Sequence, residues 1–348
     1  MKKGVISVIG ICGESIFMRL DHFNKPGETV VTDNIHVEAG GKGANQALTI
    51  AKLGGKVNYL TALGKDEYAK SCEEVFAAAK LNYQIAFKDG VKTDVGVIFT
   101  DKSGENQVTV YTGASAMLCA ADVYAFEEKI AESEYLLMQL ECSDDVLKAG
   151  VELAEKHGVK VILNPAPARQ IDPEILKKVY LLTPNEIEAD TLLSYYKPEN
   201  LIITLGKKGA RVISGGLDEV IPCVPAKPQN TTGAGDAFFS AVVESLVRGM
   251  RLDDAVTCGY LLARFLPMLE ERGITRVPEI NPLMAQLRSG GRLDGRHTRH
   301  ILLFAKNQTG LRNLYHLISL SNLEYFKRVP RMPKSQLLRY REGLIIGS

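Results

Sequence analysis

Several protein classes leave no mark on this sequence. Its six cysteines, at positions 12, 72, 119, 142, 223 and 258, include no C-x-x-C pair, which argues against both a disulfide framework and a zinc site. No apolar run approaches the roughly 18 residues that a membrane helix needs. The start, MKKGVISVIGICGES, has two lysines but too short an apolar run for a signal peptide. Reduced thiols in the cytoplasm are the expectation. No G-x-x-x-x-G-K-[ST] loop occurs, so a P-loop nucleotide site is not encoded. Internal repeats and low-complexity tracts are missing as well. Net charge is scarce, at +1, but unevenly spread. From residue 290 onward eleven Lys and Arg face three acids, a net +8, which leaves −7 for residues 1–289. The change falls near RSGGRLDGRH, a glycine-rich, linker-like stretch, so residues 1–289 and 290–348 read as separate units.

What remains is the composition of a globular protein, 45% hydrophobic and 24% charged over 348 residues. Up to about residue 289, short apolar runs (GVISVIGI, VNYLTAL, YLLMQL, VKVILN, VYLLTP, NLIITLG) read as buried strands. Helix-length segments at 42–54, 66–80, 144–157 and 186–195 lie between several of them. Such alternation predicts an α/β fold, a mostly parallel sheet covered on both faces. GETVVTDNIHVEAGG and TDVGVIFTDKSGENQVTVYTG instead read as strand pairs without intervening helices, a small antiparallel lid drawn from residues 14–39 and 94–113.

Four motifs carry chemistry. In NTTGAGDAFFSAVVESLVRG, small residues lead into Asp236 at the start of a helix expected over 236–248. Unpaired N–H groups and the helix dipole at such a start attract anions, and a carboxylate beside them can take a proton from a hydroxyl. An acid that merely favours the dipole is the plainer alternative. In EAGGKGANQALTIAKLGG, Lys42 and Asn45 lie near a helix start and offer hydrogen bonds suited to sugar hydroxyls; a capped surface helix is the alternative. LLTPNEIEAD ends a strand with Asn185, Glu186 and Glu188, where polar oxygens can orient the waters of Mg²⁺ or simply cap a helix. ITLGKKGA is a strand and glycine turn whose backbone can hold a nucleotide.

Together GGKGANQAL, LLMQLE, LNPAPAR, TPNEIEAD, ITLGKKG and NTTGAGDAFFSA resemble, in order, the ribokinase family of carbohydrate kinases over roughly residues 4–288. The resemblance implies a ribokinase-like sheet sandwiched by helices with a β lid, and ATP-dependent phosphorylation of a sugar hydroxyl. Ribose or a related pentose is the leading candidate, with a nucleoside kinase or a non-catalytic sugar or nucleotide sensor as alternatives. By the same resemblance, Asp236 is the catalytic base, and the amides of Gly233, Ala234 and Gly235 form an anion hole. Gly41, Lys42, Asn45 and Glu141 bind the sugar. Asn185, Thr204, Gly206, Lys207 and Gly209 lie along ATP, and Glu188 meets Mg²⁺ through water. The lid closes over the sugar and offers a homodimer contact; no membrane partner is implied.

Departures from the family pattern are specific. Ribokinases usually read N-x-D after the first strand, and here Gly13 and Ser15 stand at those positions, removing a carboxylate acceptor for sugar hydroxyls. Asn230 stands where potassium-activated members carry Asp, which leaves activation by K⁺ open. A single helix must make the crossover between TPNEIEAD and NLIITLG. Residues 298–348 resemble instead an internal piece of the PHP domain of Gram-positive-type DNA polymerase III alpha subunits. They read as a strand, an amphipathic helix, a second short helix and a final strand. Three histidines of the basic extension, at 297, 300 and 316, lack metallophosphoesterase spacing. Neither nuclease activity nor nucleic-acid binding is expected of it.

Overall fold

A computed structural model describes residues 4–223 and 233–260, and the backbone of two further strands at 302–305 and 344–347. From the N-terminus the chain runs β1 (Val5–Ile9), β2 (Gly13–Arg19), β3 (Ile35–Gly40), α1 (Lys42–Lys52), β4 (Lys56–Leu63) and α2 (Glu67–Ala78). β5 (Asn82–Phe87), β6 (Asp94–Thr100) and β7 (Asn106–Tyr111) follow, then the short helices α3 (Ala120–Tyr124) and α4 (Glu127–Ala131). Next come β8 (Tyr135–Gln139), α5 (Asp144–His157), β9 (Lys160–Asn164), α6 (Pro173–Leu176), β10 (Val179–Leu182), α7 (Glu186–Leu193) and β11 (Asn200–Thr204). A hairpin of β12 (Ala210–Ser214) and β13 (Leu217–Ile221) precedes α8 (Ala234–Val247) and a helical stretch at 252–260. Finally, β14 (Leu302–Ala305) and β15 (Leu344–Gly347) pair antiparallel with each other.

The apolar runs form one nine-stranded sheet in the order β13-β12-β11-β10-β9-β8-β1-β4-β5. Seven strands are parallel, and the β12–β13 hairpin adds the antiparallel edge. Helices cover both faces, which is why these strands read as continuous apolar runs instead of alternating ones. In β8, Tyr135 and Leu137 enter the core layer that includes residues of α1, α2 and α8. Leu136 and Met138 enter the opposite layer, with residues of α5 and α6. The chain leaves β1 towards β4 and β5, then returns to β8 on β1's other side and proceeds outward to β11. The strand order therefore reverses between β1 and β8, and ligands of open α/β sheets bind beyond the carboxyl ends of strands at such a point. As the spacing required, α7 alone makes the crossover from β10 to β11.

The lid is a separate four-stranded sheet, β3-β2-β6-β7. Its β2–β3 and β6–β7 pairs are antiparallel, but the central β2–β6 pairing is parallel. The strand pair expected within residues 27–41 does not form; only β3 lies there, and its partner is β2, on the far side of a long loop. Gly13 is explained by this sheet. It sits opposite Asp94 in the register, and a Cβ on residue 13 would lie 2.6 Å from the Asp94 Cβ. The Asp94 carboxylate clamps the two ends of the β6–β7 hairpin, accepting from Gly113 N and Ser115 N, each at 3.0 Å, and from Ser115 Oγ. In the extension, the two strands lie near their expected places, whereas both expected helices fall outside the described residues.

Candidate active site

α8 begins with Gly233 in the left-handed region, at φ 72°, a conformation that glycine adopts without penalty. Glycine at this position offers no side chain to cap the helix, and the N–H groups of the first turn have no intrahelical acceptor. A Cβ added at Gly235 would meet no described atom within 4 Å, and one at Gly233 would reach only Asn45 Nδ2, at 4.0 Å. Asp236 follows in the same turn and is only 7% exposed. The helix behind it is buried from Phe238 to Leu246.

Across from it, Gly41 turns at φ 92° into α1, and close packing fixes its place, since a Cβ there would lie 2.7 Å from Ile11 O. This turn brings Lys42 and Asn45 to the β1–β8 crevice. Glu141, just past β8, accepts from Lys42 N at 3.0 Å and so caps α1 from the far side of the crevice. Burial pushes the Glu141 carboxyl up to about 7, with Asp236 and Asp94 adding repulsion and Lys42 opposing it. Asn45 Nδ2 donates to Asp236 Oδ2 at 3.1 Å, and Gln46 Nε2 donates to Asp236 Oδ1 at 2.9 Å. Ser240 Oγ donates to Asp236 O and Gln46 O, tying the backbones of α1 and α8 together.

Asn185 and Glu188 open α7 in a capping box. Asn185 N and Nδ2 donate to the two Glu188 oxygens at 2.8 and 2.9 Å, and Glu188 N donates to Asn185 Oδ1 at 2.8 Å. The capping alternative is thus realised, just past the carboxyl end of β10. Burial raises the Glu188 pKa, with Asp236 adding repulsion and both Asn185 N–H and Lys42 opposing. Thr204 bridges to Asn185, and Gly206 starts a 3₁₀ turn through Lys208. Gly209 has a structural reason of its own, since at φ 111° a Cβ would lie 2.8 Å from Pro222 Cα.

Four residues near the site, Gln46, Gln139, Asn164 and Asp94, lie within the quoted motifs and strand pairs but were assigned no role there. Gln139 and Asn164 are the last residues of otherwise apolar strands, and that position was the available signal. Asn230 lies outside the described residues. No helix among the described residues is long and apolar enough to cross a membrane.

Residues 5–266 match the pfkB family carbohydrate kinases. The chain belongs to that family. Residues 241–348 also match the PHP domain, so that match begins well before the basic extension and overlaps the kinase match. The ribokinase of Haemophilus influenzae is 34% identical over 281 residues, covering 76% of this chain and 92% of that protein. The deoxyribokinase of Salmonella typhimurium is 29% identical over 279 residues, covering 75% and 91%. Among solved structures, the ribokinase of Thermotoga maritima aligns with a TM-score of 0.66 at 31% identity, covering 75% of this chain and 91% of that one.

Proposed function

We propose that this kinase transfers the γ-phosphoryl group of ATP to a hydroxyl of a pentose, ribose being the leading candidate. One observation carries the reading: Asp236 shares the first turn of α8 with the amides of 233–235, and Asn45 donates to it at the reversal point of the sheet. Asp236 takes the proton as the sugar oxygen attacks the γ-phosphorus, and the bond to the β-phosphate oxygen breaks with its electron pair leaving on ADP. The amides of Gly233, Ala234 and Gly235 stabilise charge on the transferred group. Gly41, Lys42, Asn45 and Glu141 hold the sugar. Thr204, Gly206, Lys207 and Asn185 lie along the nucleotide; Gly209 shapes the turn that carries them.

Glu188 supplies the hard oxygen donors that suit a water-shelled Mg²⁺, and the raised pKa caused by its burial would be relieved by a cation. When bound, Mg²⁺ neutralises phosphate charge. Asn230 brings no charge to a monovalent-cation site, and comparing rates in K⁺ and Na⁺ measures what that costs. The cytoplasm, where ATP is supplied, is the expected compartment. The lid also carries a dimer contact in this reading. By register, Ile16, Met18, Ile35, Val37, Val97 and Phe99 share one face of its sheet, and Ile35 and Val37 are 61% and 43% exposed. Apolar area of this kind calls for a partner surface, and sedimentation tests for a second copy.

ADP release measured with ribose, 2-deoxyribose, other pentoses and nucleosides tests the reading. Because Gly13 and Ser15 supply no carboxylate, 2-deoxyribose is a serious competitor of ribose in that panel. Binding of a sugar without turnover of any panel member would make the chain a sensor.

A further inference from the structure

We infer that Gln46 is a positioning residue for Asp236, the last link of a buried chain of side-chain amides whose direction is set by a backbone carbonyl. The inference rests on Asp236 being the base. Gln46 is fully buried on α1, one residue beyond Asn45 and so turned away from the open side of the crevice. Its Nε2 donates to Asp236 Oδ1 at 2.9 Å and to Asn164 Oδ1 at 3.3 Å, while its Oε1 accepts from Gln139 Nε2 at 2.6 Å.

An amide in isolation can be reversed, but this one cannot. Asn164 Nδ2 donates to Thr183 O at 3.0 Å, and a carbonyl only accepts. Asn164 must therefore turn its oxygen to Gln46, Gln46 must turn its NH₂ to Asn164 and Asp236, and its oxygen is left for Gln139. Reversal anywhere would set oxygen against oxygen. The arrangement even leaves Gln139 Oε1 buried without a partner among the described residues. Buried acceptors are rarely left so, which indicates how strongly the other contacts fix the direction.

The consequence is a division of labour. Asn45 holds Asp236 Oδ2 from the side the sugar enters, so a sugar hydroxyl can compete for it. Gln46 holds Oδ1 from the protein side, where no substrate reaches. With sugar bound, Gln46 keeps the carboxylate aimed. Removing its N–H should lower kcat and spare KM, because Gln46 touches no substrate.

The test has an arm independent of turnover. In the wild-type protein, the Gln46 side-chain amide proton shift should follow the same pH midpoint as the ¹³C signal of the Asp236 carboxyl, and Asp236→Asn should abolish that dependence. Among the described residues, Glu141 beyond β8 and Glu188 on α7 both feel the Asp236 charge and that of Lys42 on α1, so Glu141→Gln serves to separate Glu141's own titration. Gln46→Met should lower kcat by roughly 10–100-fold with KM for sugar changed less than about 3-fold. Gln46→Glu, of the same size, sets a second carboxyl against Asp236 and should move the acid limb of kcat up by about one pH unit or more. A Gln46 amide that ignores the Asp236 titration overturns the proposal, even in a chain without measurable turnover. So does a variant that loses melting temperature yet keeps kcat and its pH profile. An inactive wild type with coupled Gln46 and Asp236 signals would refute the kinase reading and leave the amide chain standing.

Discussion

Glu141→Gln offers a prediction that can be worked through from the structure. Glu141 caps α1 through Lys42 N, and burial raises its pKa from the 4.5 of an ordinary glutamate to about 7. Between those values the folded protein keeps a proton that the unfolded chain gives up. Its contribution to stability is therefore full below about pH 4.5 and is lost as pH rises through about 7. A shift of this size corresponds to about 3 kcal/mol at most, at 1.36 kcal/mol per unit. Glutamine keeps an oxygen for the Lys42 N–H and carries no charge. The variant should therefore match wild type near pH 4.5 and exceed it by about 2–3 kcal/mol at pH 8.5. For a domain of this size that is a rise of roughly 4–8 °C in melting temperature. Scanning calorimetry of the ligand-free protein at the two pH values reads the difference. An equal offset at both, or a less stable variant at pH 8.5, would refute the reasoning. The same substitution should weaken sugar binding, so the gain in stability measures what the site costs the fold.

Other predictions concern the lid, the metal and the extension. Asp94→Ala leaves the buried Gly113 and Ser115 N–H groups without their acceptor, at a cost of about 2–4 kcal/mol. Hydrogen exchange should accelerate across residues 94–115, and an unchanged exchange pattern would remove the clamp from the account. Chelation of Mg²⁺ should abolish ATP turnover, and Glu188→Gln should raise the Mg²⁺ concentration for half-maximal rate about 10-fold; an unchanged Mg²⁺ titration would show that Glu188 has only its capping role. Truncation after residue 289 should leave turnover intact. Loss of soluble protein instead would mean that the extension completes the kinase fold.

The sheet was legible in the sequence because its strands are buried on both faces and so stand out as apolar runs. The placement of Asn185, Glu141 and Thr204 was legible too, since they follow or end apolar runs that became parallel strands. What escaped is set by long-range pairing. Nothing local reveals that β2 joins β3 across residues 20–34, or that β2 and β6 run parallel. The need for glycine at 13 appears only once Asp94 is its neighbour. β12 and β13 escaped because their mixed polarity carries no continuous apolar run. Gln46, Gln139 and Asn164 are ordinary amides one by one, and only the fold brings them to Asp236. The junction with the extension was misleading in composition, since charge changes near 290 whereas the PHP match starts at 241.

The most direct test of the central claim compares wild type with Asp236→Asn, measuring both ligand binding by calorimetry and ADP release at saturating ATP and pentose. The account predicts that binding of both ligands survives while turnover falls by about 100-fold or more, as expected for loss of a general base. Turnover within a few-fold of wild type would contradict it.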